Sequence, residues 1–142
     1  MRTLNSSISP LATLALPALL ALTACAGGER DIVNGPVYPT SPQGSVVNIQ
    51  VLRDGTTATL TNTTVQTFTG ARLWANQWYS LPLTSLKPGE TITVDLAQFK
   101  DRYGNPFRAG GFWAVDNPEK LVLMQIEQGD KLTGLVVIGQ AE

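Results

Sequence analysis

The chain has 142 residues, 43% of them hydrophobic and 15% charged, and it contains nine prolines; this suits one small globular domain with an appendage. Its formal net charge is −1, and residues 1–24 hold Arg2 as their only charge. The remainder therefore carries nine basic and eleven acidic side chains, a net of −2, which excludes an electrostatic case for nucleic acid. Histidine is absent, and with it go the commonest neutral-pH general base, the commonest metal ligand and every Ser/His/Asp or Cys/His nucleophile.

Residues 1–24 read as an export signal: Arg2, a polar stretch from Asn5 to Ser9, then an apolar core from Leu11 to Leu22 with Pro17 inside it. A membrane-spanning helix needs about 20 apolar residues, and this run is shorter and broken by proline. The core ends at Leu22-Thr23-Ala24-Cys25, which resembles the lipobox of bacterial lipoproteins. That resemblance implies a diacylglycerol on the Cys25 sulfur, cleavage before Cys25 and acylation of the new amino terminus. The residues agree with it chemically. Thr23 and Ala24 are small, and Cys25 is the only cysteine, so no disulfide can form within the chain. A catalytic thiol would lack a histidine to activate it. The alternative is an ordinary signal peptide cut elsewhere, or an uncleaved anchor. With each buried methylene contributing about 0.8 kcal/mol, two or more acyl chains hold a protein stably on a bilayer. By resemblance to lipoprotein sorting, Ala26 in place of aspartate favours the outer membrane, with the domain facing the periplasm or the surface.

Residues 25–45 are rich in glycine and proline and lack a sustained apolar period, the composition of a flexible linker, although Ile32-Val33 or Val37-Tyr38 could add an edge strand. Residues 46–142 then show short runs of Val, Ile, Leu, Thr and aromatics separated by turn signals about every ten residues. "VVNIQVL" (46–52) puts Val47, Ile49 and Val51 on one face. Arg53-Asp54-Gly55 turns the chain into "TTATLTN" (56–62), with Ala58 and Leu60 inward. In "ARLWANQWYSLPL" (71–83), Asn76-Gln77 is a two-residue hairpin turn. Pro88-Gly89 turns into "TITVDL" (91–96), and "KLVLMQIEQ" and "KLTGLVVIG" close a hairpin over Gly129-Asp130. Seven or eight strands in about 97 residues, with no helical period, predict an all-β fold, a two-sheet antiparallel β-sandwich of immunoglobulin-like type. Through "LKPGETITVDLAQFKDRYGNPF" the body also resembles small uncharacterised β-sandwich modules of bacterial surface proteins, a likeness that implies a fold and no activity.

Trp74, Trp78, Tyr79 and Trp113 are the candidate ligand-binding residues, because aromatic faces on a β-domain can stack on sugar rings. The competing reading places them in the core, where aromatics dominate packing energetics. Strand alternation sets Phe68, Arg72, Trp74 and Trp78 against Leu73 and Ala75, and in a regular hairpin one set alone faces the core. The carboxylates Asp95, Asp101, Asp116, Glu119, Glu127 and Asp130 show no spacing that predicts a glycosidase pair. Asp101 and Asn105 in "DRYGNP" lack the EF-hand pattern, and "RAGGF" (108–112) lacks the lysine of a phosphate loop, so no metal and no cofactor is expected. The expected function is that of a lipid-anchored envelope protein with a non-catalytic interaction or structural module. A glycan- or peptidoglycan-binding module is the alternative, and a carboxylate-based hydrolase the third reading. The expected partners are the membrane through Cys25, and an envelope protein or glycan.

Overall fold

The computed structural model describes residues 35–139, and within them the fold is all-β. Seven strands occur: β1 (Val46–Asp54), β2 (Thr57–Asn62), β3 (Phe68–Ala75), β4 (Tyr79–Leu86), β5 (Thr91–Asp95), β6 (Met124–Gln128) and β7 (Lys131–Ile138), with one 3₁₀ turn at Leu96–Gln98. Alternation explains the first of them directly. Ile49, Val51 and Arg53 of β1 are buried while Gln50, Leu52 and Asp54 are exposed, and β2 buries Ala58, Leu60 and Asn62. The outward threonines of β2 and β5 pair across the strands, Thr59 with Thr93 and Thr61 with Thr91, each at 3.1 Å between hydroxyl oxygens.

The turns fall where the sequence places them, but the β3–β4 connection has three residues, Asn76 to Trp78, where two were expected, because Ala75 pairs with Tyr79. Asn76 and Gln77 both have positive φ, 52° and 63°, and the Trp78 N–H donates to the Ala75 carbonyl at 3.1 Å, closing the β3–β4 hairpin. Gly89 follows Pro88 at φ 76°, a backbone that an L side chain rarely adopts. Gln128 pairs with Lys131 across Gly129-Asp130.

The arrangement of strands differs from the expected two-sheet, immunoglobulin-like sandwich. There is one sheet, in the order β4-β3-β6-β7-β1-β2-β5, and it is mixed, because β1 and β7 run parallel while every other neighbouring pair is antiparallel. β7 makes the change of direction possible. Its residues 131–134 pair with β6 and its residues 134–138 with β1, and Gly134 is opposite both Gln125 and Val46. The sheet curls round this strand until it is nearly closed like a barrel. Residues 96–109 fill the gap between edge strands β4 and β5: Leu96, Phe99 and Phe107 are buried there, Ser80 and Lys100 exchange both backbone hydrogen bonds, and the Leu96 N–H donates to the Thr56 carbonyl. Inward-facing residues of all seven strands meet in one core, led by Ile49, Leu60, Leu73, Leu86, Met124 and Ile126. Sandwich and barrel demand the same alternation of side chains, so the choice between them rests on partners distant in sequence.

Residues 35–45, the described part of the expected linker, form no strand but lie against the sheet. The Gly44 N–H donates to the Leu132 carbonyl at 2.9 Å and the Gly134 N–H to the Ser45 carbonyl at 3.1 Å, continuing the β1 side of β7. Residues 120–123, expected at the start of a strand, run ahead of β6 without strand pairing and are held by Asn76.

Candidate functional site

The proposed lipidation residue, Cys25, lies outside the described residues. The four aromatic candidates separate into three environments. Trp74 points to the outer face of the sheet, opposite Leu73 and Ala75, yet it is 1% exposed. Tyr38 stands edge-on against it at 5.3 Å and 86°, and the indole Nε1–H donates to Glu127 Oε2 at 2.7 Å. Tyr38 is itself held by its hydroxyl, which donates to Gln125 Oε1 at 2.9 Å, while Gln125 Nε2 donates to Gln43 Oε1 at 2.6 Å. The alternation that seemed to force one set of residues into solvent is thus resolved: the second face of β3 has its own cover. Trp74 has no free face for a sugar.

Tyr79 is also taken up by packing. It meets Phe107 edge-on at 5.2 Å, and its hydroxyl donates to Glu119 Oε2 at 2.9 Å. Burial, the hydrogen bond to Glu119 and that carboxylate's charge push its pKa up to about 12, because each disfavours the phenolate.

Trp78 is different. The residue is 52% exposed and lines an open cleft of about 360 Å³ together with Val37, Tyr38 and Arg102. Trp78 follows the positive-φ pair Asn76-Gln77 as the last residue of the three-residue connection between Ala75 and Tyr79, at the rim of the sheet. A second, shallower cleft of about 520 Å³ shares Pro36 and Arg102 and runs past Lys100 and Tyr103. Arg102 therefore belongs to both. Its guanidinium carbon lies 5.2 Å from the Tyr103 ring centroid, and its Nε is buried with no hydrogen-bond partner among the described residues. In the Trp78 cleft the indole shares the lining with one cation, Arg102, a pairing that suits a ring carrying an anionic group; Lys100 lines the second cleft, where the Asp101 carboxylate is also present.

Asp101, beside Arg102, accepts hydrogen bonds from its own loop. Its Oδ1 accepts the N–H groups of Tyr103 (2.9 Å) and Asn105 (2.8 Å), and Oδ2 accepts Asn105 Nδ2 at 2.9 Å. Burial pushes this carboxyl up, but the hydrogen bonds from Asn105, Tyr103 and Trp78 outweigh it and hold the group below the usual carboxylate range. The turn expected at "DRYGNP" is therefore present, stabilised from within. Other carboxylates are also engaged as acceptors: Glu127 by Trp74, Glu119 by Tyr79, Glu90 by the Lys87 N–H and Asp95 by the Ala97 N–H. Among the described residues no three Asp, Glu or Cys side chains gather as a metal site.

Trp113 sits elsewhere, 88% exposed, stacked edge-on with Phe112 at 4.8 Å and 88° in a long loop before β6. Arg53 fastens the base of that loop. This buried side chain at the end of β1 donates from Nη2 to the Ala109 carbonyl at 2.8 Å, from Nη1 to the Glu119 carbonyl, and from Nε to the Gly55 carbonyl at 2.9 Å. Its guanidinium carbon is 5.7 Å from the Phe107 centroid, and burial draws its pKa below the ordinary arginine value.

Sequence reasoning missed Arg102 and Tyr38. The first was hidden in a turn motif and the second in apparent linker, and neither had a local signal of its contacts. Comparison with protein-family models, with curated proteins and with solved structures gave no match to this chain.

Proposed function

We propose that this protein is a lipid-anchored component of a bacterial cell envelope, held by Cys25 in the outer membrane, whose barrel-like domain is a non-catalytic binding module. Its ligand is a glycan bearing carboxylates, as peptidoglycan does, engaged at the cleft between Trp78 and Arg102. One observation carries this reading: a half-exposed indole lies in the same cleft as a guanidinium whose buried Nε has no partner. Stacking would supply the apolar contact and the guanidinium a charge-assisted hydrogen bond. The lipobox supports the anchoring, and the structural use of Asp101, Glu119 and Glu127 supports a binding role over hydrolysis. Kinship with immunoglobulin-like modules draws no support from the single mixed sheet.

The test is twofold. Mass spectrometry of the membrane fraction should find an acylated Cys25 at the mature N-terminus; any other terminus refutes the anchoring. Sedimentation with purified peptidoglycan sacculi should retain the full chain and lose it for Trp78→Ala and Arg102→Ala, with Trp113→Ala unchanged. Absence of sedimentation by the unmodified chain would eliminate the glycan and leave a protein partner as the ligand.

A further inference from the structure

The end of the barrel from which the described chain leads back toward Cys25 also carries three of the four most exposed large apolar side chains among the described residues, Phe112, Trp113 and Val115; the fourth, Val65, stands alone in the β2–β3 connection at the other end. Strand pairing fixes this end. The β1–β2 turn, the β3–β4 hairpin, the start of β6 and the finish of β7 all lie together, because Asp54 pairs with Thr57, Ala75 with both Tyr79 and Met124, and Leu52 with Ile138 in parallel. Gly35 is bound here, its N–H donating to the Arg102 carbonyl at 3.1 Å, and Pro36 and Val37 line the Trp78 cleft. From Gly35, ten residue steps lead to Cys25, a contour of at most about 35 Å.

The loop of residues 109–119 projects at the same end. Its base is tied by Arg53 to Ala109 and Glu119, and the Glu119 N–H donates to the Arg108 carbonyl at 2.8 Å. Its neck is narrow: a Cβ on Gly110 would come within 2.9 Å of Pro118 Cβ. Beyond the neck the Ala114 N–H donates to the Gly111 carbonyl at 3.1 Å, so the tip turns back on itself. Phe112, Trp113 and Val115 on this tip are 91%, 88% and 100% exposed. Three large apolar side chains on a pinned turn gain little from the barrel core, and a contiguous exposed apolar group of this kind marks an interaction surface. Basic side chains flank the base at Arg108 and Lys120, and Asp116 is the one carboxylate on the tip.

We infer that the tip Phe112-Trp113-Val115 inserts into the interfacial layer of the bilayer that holds Cys25, and so docks the barrel end-on against the membrane. The inference rests on the anchoring proposed above. Trp and Phe are the side chains that settle at a membrane interface, and the short contour to Cys25 keeps this end of the barrel close to it. A second contact of this kind would orient the Trp78 cleft, which lies at the same end, close to the membrane surface.

The test uses the full lipidated chain reconstituted in phosphatidylethanolamine–phosphatidylglycerol vesicles with brominated acyl chains. Trp113 emission should be quenched by the bromolipid, and its quenching by aqueous acrylamide should fall severalfold relative to the detergent-free, Cys25→Ser chain without vesicles. Trp113→Phe removes this component. Phe112→Ser with Val115→Ser retains Trp113 and should weaken the bromolipid effect; all three side chains are solvent-exposed, so the fold is not at stake. Equal acrylamide access with and without vesicles, on protein whose acylated Cys25 is verified by mass spectrometry, overturns the insertion and leaves the anchoring intact. Shielding from acrylamide without bromolipid quenching also overturns it, in favour of a second copy covering the tip. An unacylated terminus removes both.

Discussion

At Gln77 a side chain with a Cβ occupies the left-handed region, φ 63°, as the second central residue of the β3–β4 turn. A non-glycine residue there costs roughly 1–2 kcal/mol, and Asn-Gly is the preferred pair for such a turn. Gln77→Gly should therefore raise the urea midpoint, by an amount equivalent to about 0.5–1 kcal/mol after the entropic cost of glycine. Asp101 shows the opposite kind of specialisation, a buried carboxylate whose ionised form is favoured by four hydrogen bonds. Its folded pKa lies below the unfolded value, so its contribution is present above about pH 4 and is lost as pH falls through the folded pKa. Asp101→Asn should destabilise the protein by about 1–3 kcal/mol at neutral pH. The difference from the unmodified chain should shrink on acidification, and denaturation curves at several pH values measure it. A constant difference down to strongly acid pH would contradict the assignment.

Among the elements, the β3–β4 hairpin does more than connect two strands. Asn76 donates from Nδ2 to the Lys120 carbonyl at 2.7 Å and accepts the N–H groups of Val122 (3.0 Å) and Leu123 (3.3 Å) on Oδ1. It substitutes for strand pairing along residues 120–123, where the sequence pattern expected β6 to have begun. Asn76→Ala strands those backbone groups and should cost about 2–3 kcal/mol. Hydrogen exchange should accelerate first at Val122 and Leu123; unchanged protection there would show that the clamp is not what holds the segment. The turns themselves were readable, because Asp54-Gly55, Asn76-Gln77, Pro88-Gly89 and Gly129-Asp130 each need a backbone that few residues supply.

On the scale of the whole molecule, the N-terminal segment is part of the folded unit from Gly35 onward. It covers the outer face of β3 and β6, where Trp74 would otherwise be the largest exposed side chain. Tyr38→Ala removes that cover and should cost about 2 kcal/mol, less than a fully enclosed aromatic because Tyr38 is itself half-buried. Tryptophan emission should shift to longer wavelength in the variant. No shift would mean that Trp74 is shielded by other groups. The tripartite layout of the rim, with its cleft, pinned loop and chain exit at one end, follows from the parallel β1–β7 pair, which brings the end of β7 beside the end of β1.

The amino-acid sequence by itself determined the all-β class and the positions of most strands and turns, and it carries the lipobox-like pattern on which the anchoring proposal rests, because each depends on neighbours within a few residues: an alternation, a permissive backbone, a short motif. Only the tertiary structure decided which of Trp74, Trp78, Tyr79 and Trp113 are exposed, that Arg102 and Trp78 line one cleft, and that one curled sheet replaces two. Those outcomes depend on contacts such as Tyr38 with Trp74 and β1 with β7, whose partners are separated by tens of residues. Alternation records that a side chain lies on one face of a strand. It carries no record of what covers that face.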